Sequence, residues 1–411
     1  MRNGNRKWLR LLLPGMIAVA AGAGPWTAAA QTGGTTPAKK DDASHPVSAG
    51  TAAGPAAGTF AIPGTESTIK LGGYLKVDWI QDFDAIGDAY EFKVNSIPVE
   101  GSAAADQDER TTIHARESRL NLDYRSGKGF RAFVEGDFFG DKNVFRLRHA
   151  YGELGPLLGG QTWTTFMDIT ARPLTVDVEG AEGEVFLRQA MIRLSRPFSD
   201  TWRGSIAIEN PSPEFAVPGA LEGSARSSMP DVGAMGRGTG KPGHVQVAAV
   251  LRQLRFDGEG PSADQSEIGW GLNASAGVKT VGSDELLLQF VVGEGIAHYI
   301  EGLSGQNSDA AFDVNDELQP LPVMGMVAGY TRHWSPTLRS GFAFSMAELD
   351  NDPAQGGGAL AGIRDLRVNL IHSYATNVDL CGEALWGRRE DQDGSSGEAW
   401  RGQFAILYHL K

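Results

Sequence analysis

Cysteine is almost missing from this chain. Cys381 is the only one in 411 residues, which excludes an intramolecular disulfide and a thiolate metal site. A bare thiol of this kind reads as a packed wall residue. Long apolar runs are missing too. The one candidate, Leu11 to Ala23, is interrupted by Pro14 and falls short of the ~20 residues that a helical membrane span needs. Mean hydropathy is only −0.23. Positive charge is scarce, with 37 lysines and arginines against 50 acids and a formal net charge of −13, so nucleic acid is excluded as a partner. Catalytic signatures are lacking. The eight histidines form no HExxH and no metal-spaced pair, and there is no GxSxG elbow, Walker loop or dinucleotide fingerprint. No cofactor and no enzyme activity are implied.

The first thirty residues have the form of a secretion signal: Arg2, Arg6, Lys7 and Arg10, then the short apolar stretch, then Ala28-Ala29-Ala30 ahead of Gln31. Its removal takes away those four positive charges and no acid, leaving 33 basic residues against 50 acidic ones. Residues 31–65 are rich in Gly, Ala, Thr, Pro and Ser, and read as a disordered periplasmic leader. Residues 66–411 form the folded domain.

From Thr68 onward the pattern has period two. In the first segment Ile69, Leu71, Leu75, Val77 and Trp79 alternate with Lys70, Tyr74, Lys76 and Asp78; in the last, Trp400, Phe404, Ile406, Tyr408 and Leu410 alternate with Arg401, Gln403 and His409. A strand with lipid on one face and water on the other needs this division. About sixteen such cores can be placed, an even number as bacterial barrels require. They are 69–82, 111–125, 130–139, 145–154, 158–168, 185–196, 202–210, 229–236, 244–256, 268–279, 285–300, 323–334, 338–349, 365–375, 379–389 and 398–410. The eighth is short and glycine-rich, and is placed by parity. Short turns alternate with long polar links at 84–110, 169–184, 211–228, 301–322 and 350–364, and Tyr124, Phe130, Phe198, Trp202 and Trp334 flank the short turns as an interfacial girdle would. The expected fold is therefore all-β, a transmembrane antiparallel barrel of about sixteen strands with short periplasmic turns and long external loops. Its place is the outer membrane, within the lipid bilayer.

The same parity turns Lys76, Arg119, Arg146, Arg148, Arg203, Arg252, Arg339, Arg367 and Arg389 toward water, because charge on the lipid face costs roughly 2–4 kcal/mol per residue at midplane. Such arginines can pass anions down a pore by bidentate contacts. They can equally pair with Glu117, Asp123, Glu135, Asp137, Glu209 and Glu383. The link from Ile169 to Glu184, carrying Arg172, Asp177, Glu179 and Glu182, is long enough to fold inward as a constriction. Two other functions stay open: surface binding or adhesion through the long loops, and a barrel hydrolase.

Several stretches together resemble the DcaP-like porin family. They are Ile62-Pro63-Gly64-Thr65 with Leu71-Gly72-Gly73-Tyr74, then Arg116-Glu117-Ser118-Arg119-Leu120, Arg146-Leu147-Arg148-His149-Ala150-Tyr151-Gly152 and Gly160-Gln161-Thr162-Trp163-Thr164-Thr165-Phe166-Met167-Asp168. Gly293-Glu294-Gly295 to Tyr299 and His333-Trp334 to Arg339-Ser340 are similar as well. The resemblance implies a sixteen-stranded barrel, a homotrimer, and a pore favouring small anionic solutes, dicarboxylates among them. It points to Arg116, Arg119, Arg146 and Arg148 as contacts for the solute. The chain departs from the family in having no heptads in 31–65, and from outer-membrane barrels generally in ending His409-Leu410-Lys411 where an aromatic is usual.

Overall fold

A computed structural model describes residues 58–107 and 109–410. The expected signal and residues 31–57 of the expected leader lie outside the described residues. Sixteen antiparallel strands close on themselves. They are β1 (Thr68–Asp82), β2 (Arg110–His114 and Arg119–Arg125), β3 (Phe130–Asp137), β4 (Arg146–Leu154), β5 (Leu157–Trp163), β6 (Arg188–Pro197), β7 (Trp202–Glu209) and β8 (Gly223–Arg226 and Asp231–Gly240). Then follow β9 (Gly243–Gly258), β10 (Gln265–Lys279), β11 (Glu285–Glu294), β12 (Pro322–Ser335), β13 (Leu338–Leu349), β14 (Leu360–Ala375), β15 (Val378–Asp391) and β16 (Ser396–Leu410). Each pairs with its successor, and β16 pairs with β1 from Gly73↔Leu410 to Asp82↔Arg401, so no sheet edge is left at the seam.

Burial follows the period. On β1, Lys76, Asp78, Ile80 and Asp82 are buried, whereas Leu75, Val77 and Trp79 are exposed. The apolar face is the outer one, inverting the arrangement of a soluble protein. At one end the connections are tight: in 126–129 the Ser126 amide donates to the Phe130 carbonyl at 2.8 Å, with Gly129 at φ 80°. At the other end they are long.

Five boundaries differ from the periodicity. The sheet begins ahead of residue 66, since Thr59–Ala61 pairs with Thr68–Lys70; backbone bonds and the Thr65 hydroxyl, which donates to the Ile62 carbonyl at 2.9 Å, build that hairpin, and its composition carries little apolar signal. The second strand is interrupted at 115–118, where both of its halves still pair with β1. β5 stops at Trp163 and β11 at Glu294, although alternation suggested strands to 168 and 300. Thr164 to Asp168 and Ile296 to Ile300 are buried at every position, because the chain there leaves the wall and enters the interior. The eighth strand is longer than its expected 229–236.

Candidate functional site

Three external loops fold into the barrel: residues 83–107 after β1, 164–187 after β5 and 295–321 after β11. They share an apolar cluster with the upper wall, including Phe92, Val94 and Ile97 from the first, Phe166, Val185 and Phe186 from the third, and Ile296, Tyr299 and Ile300 from the sixth. Phe92 and Phe166 are fully buried. The third and sixth loops pair through the Val185↔Ile300 bridge, with the Phe186 amide donating to Tyr299 and that of Glu301 to Glu184, both at 3.0 Å. Glycines let the third loop lie on the wall. A Cβ at Gly183 would run into the carbonyls of Met346 and Met326, and one at Gly341 into that of Leu174.

Side chains pin this loop around the inner wall. Asp168 faces Arg237 at 2.8 Å, His244 at 2.9 Å and the Ser275 hydroxyl at 2.7 Å. The serine donates to the carboxylate rather than to the imidazole, so these residues form no nucleophile–base pair. Asp177 accepts from the Phe92 amide and lies 3.3 Å from Arg367 and 3.8 Å from Arg401. Glu182 accepts from the Val94 amide at 2.8 Å, and Glu383 accepts from the amides of Val176 and Asp177. Arg172 holds Glu184 at 2.7 Å and reaches the carbonyls of Val178 and Glu179.

The remaining arginines gather on the opposite side. The interruption in β2 presents Arg116 and Glu117 inward. Arg116 bonds the carbonyls of Phe139 and Gly140 and lies 4.2 Å over the Tyr90 ring. Glu117 takes Lys76, the Tyr74 hydroxyl at 2.8 Å and Arg119 at 3.2 Å. Arg146 and Arg148 share Asp137, at 2.9 and 2.7 Å, and Arg148 also nears Glu135 at 3.4 Å. Arg188, at the start of β6, lies 4.6 Å over the Trp163 ring, within electrostatic reach of Arg148, Arg119 and Arg146.

Facing them are loop carboxylates: Glu91 from the first loop, Glu179, Glu182 and Glu184 from the third, and Glu301 from the sixth. Burial, followed by the charges of Glu301, Glu91 and Glu182, pushes Glu179 well above the usual carboxylate range. Glu301 is raised by burial and by Glu184, against the pull of Arg172. Glu182 is pushed up to about 8 by burial and Asp365, opposed by Arg367. The arrangement sets arginines on one side of the interior against acidic loop groups on the other.

The other candidates are elsewhere. Arg252 is buried against Asp231 and Asp309 at 3.4 and 2.7 Å and anchors the sixth loop. Arg367 is likewise buried, 2.8 Å from Asp365, and Arg389 pairs with Asp391 at 2.7 Å. Arg203 sits near the short-turn end and is exposed; Arg339, also at that end, faces Asp379 at 3.3 Å. Sequence reasoning missed Arg188, Arg237, Glu91 and Glu301. Arg188 shares its phase with the outward Ala190, Ile192 and Leu194, and no period marks it as inward. Cys381 is buried with Val176, Ile371 and Ala405.

Among functionally curated proteins no sequence matches the chain. Solved structures do. The outer membrane channel DcaP of Acinetobacter baumannii is 19% identical, covering 85% of this chain and 99% of that one, with a TM-score of 0.74. An anion-selective porin from Comamonas acidovorans is 13% identical over 84% and 100%, TM-score 0.52. OmpF of Salmonella typhi, in complex with daunomycin, is 10% identical over 84% and 98%, TM-score 0.51. At these identities the likeness is one of fold. Residues 57–406 match the sequence profile of the DcaP outer membrane protein family, and with a closed sixteen-stranded barrel, apolar outside and charged within, the chain belongs to that family of porin-like channels in the outer membrane.

Proposed function

We propose that the chain is a passive channel favouring small anions, carboxylates and dicarboxylates among them, and that it works as a homotrimer. The observation that carries the preference is the convergence of Arg119, Arg146, Arg148 and Arg188, five elements of charge counting Arg116, around only Glu117, Glu135 and Asp137. The net acidity of the chain does not oppose this, since many carboxylates lie in the loops. A small anion passing here exchanges hydration for guanidinium contacts, and the facing carboxylates limit how long it stays.

The assembly rests on the wall itself. β3, β4 and β5 have only eight, nine and seven residues, whereas β12 to β16 have twelve to sixteen. A tilted strand needs about 9–11 residues to cross the hydrocarbon. Pairing of β4 with β5 also ends at Ala150↔Gln161, although β4 runs on to Arg146. Beyond that pair only the Gln161 side chain reaches from β5 to the β4 backbone, donating to the Leu147 and Arg148 carbonyls; backbone without a strand partner is costly in lipid, and a second copy on this side would shield it.

The test of the preference is block of single channels by succinate. Arg119→Ala combined with Arg148→Ala is expected to weaken block about tenfold, on the scale of one or two lost charge-assisted bonds. Unchanged block would remove both residues from the solute path.

A further inference from the structure

A cavity of about 270 Å³ lies where β4, the two ends of the third loop and the sixth loop meet. It is lined by Leu147, Gln161, Trp163, Phe186, Leu187, Arg188, Glu301 and Ser304. Two of these are opposite charges that do not meet. The Arg188 side chain makes no ion pair or hydrogen bond among the described residues, and its buried Nη1 has no partner. Its guanidinium instead rests on Trp163 at 4.6 Å and approaches Phe186 at 5.7 Å. Glu301 has no side-chain partner within 4 Å either, though it feels Arg172 and acts on Arg188 from a distance. A guanidinium and a carboxyl left apart in one cavity, each desolvated, are a poor arrangement for the empty protein and a good one for a ligand that bridges them, since an ammonium beside Glu301 favours its ionised form.

The surroundings sharpen the two poles. Arg148, Arg119 and Arg146 lie on the Arg188 side, and Glu184, Glu182 and Glu91, with Arg172 paired to Glu184, on the Glu301 side. The walls between are aromatic and aliphatic. A dicarboxylate would meet Glu301 and its acidic neighbours with its second charge, and a diamine would meet the arginines.

We propose that this cavity is a subsite for a zwitterion with an apolar side chain, of the class of a free hydrophobic α-amino acid. The carboxylate is held by Arg188 as a planar, bidentate contact, the ammonium turns to Glu301, and the side chain lies along Trp163, Phe186 and Leu187. Entry of such a solute rests on the channel reading above, but occupancy of the cavity can be measured apart from conduction.

The experiment is calorimetric titration of the detergent-solubilised full chain with three probes of one shape. Phenylalanine carries both charges, 3-phenylpropionate lacks the ammonium and phenethylamine lacks the carboxylate. Phenylalanine is expected to bind at least about tenfold tighter than either analogue, the scale of one charge-assisted bond. Arg188→Gln and Glu301→Gln should each remove that advantage, and Arg188→Lys should retain part of it. Heat-modifiable migration on a denaturing gel reports whether each variant is folded, and the comparison of probes on the unmutated chain stands without them. Phenylpropionate binding as tightly as phenylalanine, or no heat with phenylalanine, would overturn the assignment. Bilayer conductance of the same preparation reports separately on the channel.

Discussion

Asp177 ties the third loop to the first loop and to the wall through one carboxylate. It receives the Phe92 amide from the first loop and faces Arg367 of β14 and Arg401 of β16, both fully buried. Removing one partner from a buried charge cluster costs about 3–5 kcal/mol, because the remaining cations lose compensation. Asp177→Ala is therefore expected to release the first loop from the third, which increased open-channel noise and faster proteolysis within 83–107 would show. Quiet channels and unchanged cleavage would mean that the apolar cluster alone holds the loops. Lys76, Arg252 and Arg367 were legible in the sequence as inward-facing, since period two fixes direction. Their burial against acids, rather than exposure to solute, was not. Parity says which way a side chain points but nothing of what comes to meet it.

At the level of elements, the three inward loops carry Glu91, Glu179, Glu182, Glu184 and Glu301, all with carboxyls raised above their ordinary values. Burial is the leading cause in each. A carboxyl raised in the folded state contributes stability below its unfolded value, lost as pH rises through the folded one. For Glu182 the window runs from roughly 4.3 to about 8. Lowering pH from 8 to 5 should thus neutralise acids on the loop side, leave the arginines charged, and move the reversal potential further toward anions. Glu182→Gln should flatten part of that dependence. Asp168 behaves oppositely: burial would raise it, but His244, Arg237 and Thr170 hold it well below the usual range. Its contribution therefore persists through this window and fails only in stronger acid. Gly183→Val is expected to unseat the third loop from β12 and β13, with a larger conductance as the readout. The strand reading overran at 158–168 and 285–300 for the same physical reason. Where a loop packs inside a barrel both phases are buried, and an extended run rich in apolar residues has the composition of a strand.

The whole molecule is asymmetric around its axis. Long strands β12 to β16 form one stretch of the wall and the short β3 to β5 another, whose outer face still presents Leu147 and Val134. In a Cys381→Ser background, a fluorophore at Val368 should be quenched by brominated lipid, whereas one at Leu147 should be shielded by a neighbouring copy. Equal quenching would argue for a monomer. Fifteen strands were recoverable from the sequence because each has one lipid face, and the eighth only because the number must be even; the unequal wall was hidden, since strand ends depend on where loops turn inward.

The claim on which the rest depends is that this barrel conducts and that its arginine side sets the sign. The direct measurement is the reversal potential of the purified protein in a planar bilayer under a salt gradient at neutral pH. Stepwise conductance with an anion-biased reversal potential is the expected result. Cation bias would contradict the proposed selectivity, and a folded, inserted barrel without conductance steps would contradict the channel itself.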